Sequence, residues 1–413
     1  MAGEKIEKLF WVMLTLWALL RLTLMGAQLT GNTNPDYIAR VKQYFTRQQI
    51  DEGKNYALSG FWLKAFYGFA YVGLLAFLLK TGFFAALYNR ILARVGYGLF
   101  KSEILFVIAF LLLLRLISLP YSFYMGFIRE TNMGFSNLTA LGWFFKYCKS
   151  ALVGVGLEAA GILLLLAVVR QFSVNWVYIV PLAMSGFSIA VTLIYPVLIT
   201  PIFYNKQPLH DQQLRARLLN IGRQSGMQIE EIFVVDESRY SKHTNAYFTG
   251  VGRYRRIVLY DNLINNLTDD EVALIFAHEA GHWRHDHVAK GLTIGFLGMI
   301  AIAFAVNFCF PLFMRVPWFG LRELHCAANL PFFMILVITL QLFFAPIESQ
   351  ISQKMEVQAD RAALELTGLR DVYVAAEKKL AIDNKTDLLP SPLRVFWLYS
   401  HPPTLERIEL TRP

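Results

Sequence analysis

Two histidines one helical turn apart with a glutamate between them, His278-Glu279-Ala280-Gly281-His282, are the residues in this chain best suited to do chemistry. On an α-helix, positions i and i+4 project from one face, so both imidazoles can reach a single tetrahedral zinc ion about 2 Å away. Glu279 stands beside them, where a carboxylate can act as general base on a zinc-bound water whose pKa the metal lowers from about 15.7 towards 7. The chemistry this spacing points to is metal-assisted peptide hydrolysis. A pentapeptide can arise by chance, so the elements around it must decide.

A metal pair needs a rigid support. Thr268-Asp269-Asp270-Glu271 reads as a capping box that opens a helix, and its acidic first turn suits the helix dipole. The apolar run 272–277 then leads into the histidines. One histidine on such a helix is ordinarily a buried core residue, but a pair around a glutamate is not. An open catalytic zinc site takes three protein ligands. The candidate third is Glu356, with Asp360 one turn on, where it can take the free N–H of a ligating histidine. A solvated, charged helix face fits the same two acids.

Composition says where the chemistry happens. Of 413 residues, 55% are hydrophobic and 17% charged, with a mean hydropathy of +0.42, so the chain is expected to be a mainly α, polytopic membrane protein. Seven spans are read, at about residues 9–29, 61–84, 104–123, 151–169, 174–203, 292–314 and 330–346. The first could be a signal peptide, but its apolar run is longer than the usual 7–15 residues. Two spans separate the histidine helix from Glu356, which returns both to one side. Arg40, Lys42, Arg47, Lys54 and the 206–288 segment share that side, expected to be cytosolic; Arg90, Arg94 and Lys101 fall opposite. Arg21, Glu103, Arg115, Glu158 and Asn307 lie within apolar segments and are expected to face protein or water, with snorkelling as the alternative, best suited to Glu103. Cys148, Cys309 and Cys326 are scattered and suggest no disulfide framework. The +9 net charge is expected to face lipid headgroups rather than nucleic acid.

The chain divides into residues 1–205 with five spans, a polar α/β segment 206–290, two further spans 291–346, and a C-terminal segment 347–413. In the polar segment, 232–235 and 257–260 are β-branched or aromatic runs bounded by turn residues. Asn245-Ala246-Tyr247-Phe248-Thr249-Gly250 lies between them. A strand there with a free edge could take a substrate peptide as an added strand; a plain hairpin without a ligand role is the other reading.

Several motifs now stand in order: Tyr195-Pro196, 201–206, Asn245-Ala246-Tyr247-Phe248, 256–261, the histidine pentapeptide, Ser352, Glu356, Ala359 and Asp360, 382–384, and Tyr399-Ser400-His401-Pro402-Pro403 with Leu405-Glu406-Arg407. Together they resemble the integral-membrane zinc endopeptidases of the CaaX prenyl protease 1 family, over nearly the whole chain. The resemblance implies seven helices around a water-filled chamber, with a small gluzincin-like α/β portion. It implies one zinc per chain held by His278, His282 and Glu356, Glu279 as the base, and Asn245 to Phe248 along the substrate backbone. It also suggests His401 as an oxyanion donor, although before two prolines it reads equally as a loop residue. The implied substrates are proteins prenylated at a C-terminal cysteine, in the endoplasmic reticulum or inner nuclear membrane of a eukaryote or the cytoplasmic membrane of a bacterium. The chain is short for a eukaryotic member, which points to a bacterial source and leaves the substrate open there. Gln353 stands where the family usually has arginine, which puts a local salt bridge in doubt. The alternatives are an HtpX-like quality-control protease, which would have fewer spans, an intramembrane site-2-type protease, which would need a downstream Asp motif absent here, and a non-catalytic scaffold or transporter, which would not need Glu279.

Overall fold

The computed structural model describes residues 2–95, 99–249 and 255–412. Seven helices are long and apolar enough to cross a membrane: Gly3–Thr30, Arg47–Lys80, Phe100–Asn132, Ala140–Gln171, Trp176–Phe203, His287–Phe313 and Ala327–Thr367. This bears out the expected polytopic, mainly α fold. The shortest has 27 residues, about 40 Å at 1.5 Å per residue, which exceeds a ~30 Å hydrocarbon core.

The main neighbours of these spans close a ring. The first packs on the sixth and seventh, the sixth on the fifth, the fifth on the fourth, the fourth on the third, the third on the second, and the second on the seventh. Only 11% to 33% of each apolar window is buried. A span in a solid bundle would bury more of its surface than this.

Several charged groups inside the spans find polar partners. Arg115 of the third span bonds Glu158 of the fourth, and Arg21 donates to Lys64 O at 3.0 Å. Glu103 does not snorkel, contrary to the alternative that suited it best. It is 5% exposed and accepts bonds from Tyr88 Oη at 2.8 Å and Ala327 N at 2.9 Å. These partners satisfy a carboxylate that burial would otherwise penalise.

Segments that follow odd-numbered spans gather at one end. Asn32 N donates to Leu389 O at 2.8 Å, Asn137 N donates to Tyr240 O at 3.0 Å, Lys385 Nζ donates to Met133 O at 2.8 Å, and Arg40 meets Glu409 at 2.6 Å. His243 Nε2 lies 3.0 Å from Glu130 Oε2, and Tyr56 Oη donates to the other Glu130 oxygen at 3.0 Å. The polar part is thereby fastened to the second and third spans.

That part holds a four-stranded sheet: β1 (Lys206–Pro208), β2 (Ile229–Val235), β3 (Ala246–Thr249) and β4 (Arg255–Tyr260), in the order β1-β2-β4-β3. The two strands legible in the sequence, β2 and β4, are parallel, with Ile232 opposite Ile257. A parallel pair needs a crossover, and the chain between them supplies β3, antiparallel to β4 with Ala246 opposite Leu259. Among the described residues β3 pairs with β4 alone, and its outer edge is open. The sheet packs on the helices Gln212–Gln224 and Asp269–Arg284 through Leu218, Ile232, Leu259, Phe276 and Ala277. The seventh span is continuous with the helix Leu330–Thr367, 38 residues long. Glu356 and Asp360 therefore ride on the membrane helix itself, not on a separate segment after it.

Candidate active site

The histidine helix Asp269–Arg284 opens with the expected capping box: Glu271 N donates to Thr268 Oγ1 at 3.3 Å, and Thr268 N donates to Glu271 Oε2 at 2.8 Å. Its other end presses on the seventh-span helix at Gly281. A Cβ there would stand 2.8 Å from Ala359 O and 2.9 Å from Ala359 Cα and Ala362 Cβ. Only glycine allows so close an approach, and it brings Glu356 within reach of both histidines.

The three ligand candidates converge. His278 Nε2 lies 3.2 Å from His282 Nε2 and 3.3 Å from Glu356 Oε2, and His282 Nε2 lies 3.4 Å from Glu356 Oε1. Ligand atoms about 2.0–2.1 Å from a tetrahedral ion are separated by about 3.3 Å, so one ion fits. Glu356 Oε2 is buried and accepts no hydrogen bond, an orphan that a cation would satisfy. His278 Nδ1 donates to Asp360 Oδ1 at 2.7 Å, which leaves the Nε2 lone pair for the ion.

Asp360 is fully buried and receives Arg407 side-on, Nε to Oδ2 at 2.9 Å and Nη2 to Oδ1 at 2.6 Å. Arg407 also meets buried Glu377 at 3.0 Å. In the sequence Arg407 stands within the C-terminal motif with no role marked by its spacing, and Glu377 is an isolated acid that carries no signal at all.

Burial opposes a charged His278, but the bond to Asp360 and the nearby Glu356 carboxylate outweigh it and raise the imidazole to about 10. Burial, then the charge on His278, lowers His282 to about 4. The metal-free site thus keeps a proton on His278, which an incoming cation must displace. Burial lifts the Glu279 carboxyl to about 7, with His278 opposing and Glu356 adding, close to the range that suits a general base.

A cavity of about 410 Å³ opens onto the centre, lined among others by Asn245, Ala246, Ile275, Glu279, Tyr399 and His401. The beginning of β3 borders it, as the free-edge reading expected. Asn245 Oδ1 accepts from Ala246 N at 2.9 Å, and Asn245 O accepts from Tyr260 N at 3.0 Å. Tyr247 and Phe248 follow in β3 as backbone; their side chains lie outside the described residues. His401 belongs to the site rather than to a remote loop: its Nε2 is 3.3 Å from Glu356 Oε2, and its Nδ1 is 2.8 Å from Ser400 Oγ. Gln353 replaces the expected salt bridge with neutral bonds, its Nε2 donating to Val395 O and Tyr399 O at 2.9 Å each. It thereby holds the segment leading to His401. His287, unremarked in the sequence, closes on the far side of His282, with their Nδ1 atoms 2.9 Å apart.

The fold and the site are those of a membrane metalloendopeptidase. Residues 28–205 match the family described as CAAX prenyl protease N-terminal, five membrane helices, and residues 208–412 match peptidase family M48. CAAX prenyl protease 1 of Saccharomyces cerevisiae is 30% identical over 309 residues, 71% of this chain and 68% of that protein. The uncharacterized metalloprotease YhfN of Bacillus subtilis is 27% identical over 312 residues, 75% of this chain and 73% of its own. The crystal structure of S. mikatae Ste24p superposes with a TM-score of 0.80 at 24% identity, covering 95% of this chain and 94% of that one. The chain belongs to the CAAX prenyl protease 1 family of M48 peptidases.

Proposed function

We propose that the protein is a zinc endopeptidase that cuts after a prenylated cysteine near the C-terminus of its substrates, from a site on the cytosolic side. The observation that carries the hydrolytic part is the set of three ligand atoms at tetrahedral spacing beside Glu279. The substrate class is taken from what the yeast relative is called. The cytosolic side is taken from Arg40 and Lys42, between the first two spans, and from Arg47 and Lys54, in the first turns of the second, at the end that holds the site.

Bound zinc would supply Lewis acidity and make water a stronger acid. Glu279 takes the proton of the attacking water and passes it towards the leaving amine. The open edge of β3, with Asn245, aligns the peptide by main-chain bonds. With the Ser400 hydroxyl donating to Nδ1, His401 presents an Nε2–H to the developing oxyanion, a role typically contributing about 3 kcal/mol.

The test pairs zinc content with cleavage of a farnesylated CaaX peptide and of the same peptide without lipid. Glu279→Gln is expected to keep zinc and lose about 10²–10⁴-fold in turnover, and Glu356→Ala to lose bound zinc. Normal turnover in Glu279→Gln would refute the mechanism. Equal cleavage of both peptides would refute the prenyl specificity alone.

A further inference from the structure

We infer that His287 is a positioning residue which, with Gln358, fixes the tautomer and ring plane of His282. The inference rests on His282 being a metal ligand. Asp286, at φ 55° in the left-handed region, turns the chain sharply between the histidine helix and the sixth span. The turn folds His287, 5% exposed, back against the helix it has just left. Its Nδ1 then lies 2.9 Å from His282 Nδ1, and its Nε2 lies 2.9 Å from Gln358 Oε1 on the seventh-span helix.

The chain of donors has one consistent direction. An amide oxygen only accepts, so His287 Nε2 carries a hydrogen, and in a neutral ring its Nδ1 is an acceptor. His282 Nδ1 must therefore carry the hydrogen of the bond between the rings, which leaves His282 Nε2 with its lone pair beside His278 and Glu356. Turning the Gln358 amide over would reverse every bond and put a hydrogen on His282 Nε2, where a metal could not bind. Asp360 does for His278 what the His287–Gln358 pair does for His282. The two ligands are oriented by different means, one by a carboxylate and one by a neutral relay, and the relay anchors the second ligand to the sixth and seventh spans.

The experiment uses the purified full chain in detergent, stripped of metal. It measures zinc affinity by chelator competition, the absorption bands of the cobalt(II)-loaded protein, and the melting midpoint of the metal-free form. Gln358→Leu and His287→Ala are expected to weaken zinc binding by about 10–100-fold and to alter the cobalt bands. Gln358→Leu should leave the metal-free midpoint unchanged, because Gln358 is exposed. Gln358→Glu keeps an acceptor and should restore wild-type affinity. Unchanged zinc affinity in Gln358→Leu, or no rescue by Gln358→Glu, would overturn the relay, whatever His287→Ala does to folding. Wild-type protein that binds no zinc would instead remove the ligand reading, and the relay with it.

Discussion

Arg407 shows how much of the centre depends on residues that touch no reacting atom. It pairs with Asp360 and Glu377, both buried, and so holds the carboxylate that orients His278. Arg407→Met would strand two buried acids. The expected cost is about 3–5 kcal/mol, read as a lower denaturation midpoint in detergent together with weaker zinc binding. Arg407→Lys should recover part of the stability but not the side-on geometry, since an ammonium lacks the planar fork. An Arg407→Met protein with wild-type midpoint and zinc affinity would make the network decorative. The ligand candidates were legible because helical spacing alone puts His278 beside His282, and Glu356 one turn before Asp360. Arg407, Glu377 and His287 were not, because their partners lie far along the chain or across a turn whose direction only the fold sets.

Among elements, the crossing of the histidine helix and the seventh-span helix decides whether there is a site at all. Gly281→Ala would put a methyl within contact distance of the Ala359 backbone, which cannot swing aside as a side chain can. The helices must part, and His278 and His282 must move away from Glu356. The expected result is a folded protein, with unchanged helical circular dichroism, whose zinc affinity and turnover both fall by at least about tenfold, since a misplacement of about 1 Å can cost far more. Retention of both would mean the crossing relaxes without cost. Helix starts were readable from the capping box, and β2 and β4 from their β-branched runs. The parallel pairing was not, because local pattern reports a strand but not its partner. β1 escaped notice because it has three residues and ends in proline. The last span read from hydropathy stops at 346 with its apolar run, whereas the helix that carries it runs on until Gly368 closes it in the left-handed conformation; hydropathy reports the end of an apolar run and not the end of a helix.

For the molecule as a whole, the number of spans followed from hydropathy, but their order around the ring did not, since apolar faces carry no address. What fastens the catalytic portion to that ring includes His243 and Glu130. The bond to Glu130 raises the His243 pKa, against burial and with help from Asn384 and the charges of Glu130 and Glu237. A raised value means that this fastening is complete below the unfolded value of about 6.5 and fades as pH climbs through the folded one. Wild-type melting midpoints are therefore expected to decline across that window more steeply than those of Glu130→Gln; parallel curves would sink the idea.

The unbroken helix Leu330–Thr367 also acts as a height gauge. Pro346 closes its apolar run and Glu356 follows ten residues later, about 15 Å farther along the axis. If the proposed substrate is right, a lipid attached next to the bond to be cut must span much of that height for the bond to reach Glu356. For such a substrate, any part of the lipid that must leave the bilayer to bridge this height adds its transfer energy, about 0.8 kcal/mol per CH₂, to what sets which peptides are cut.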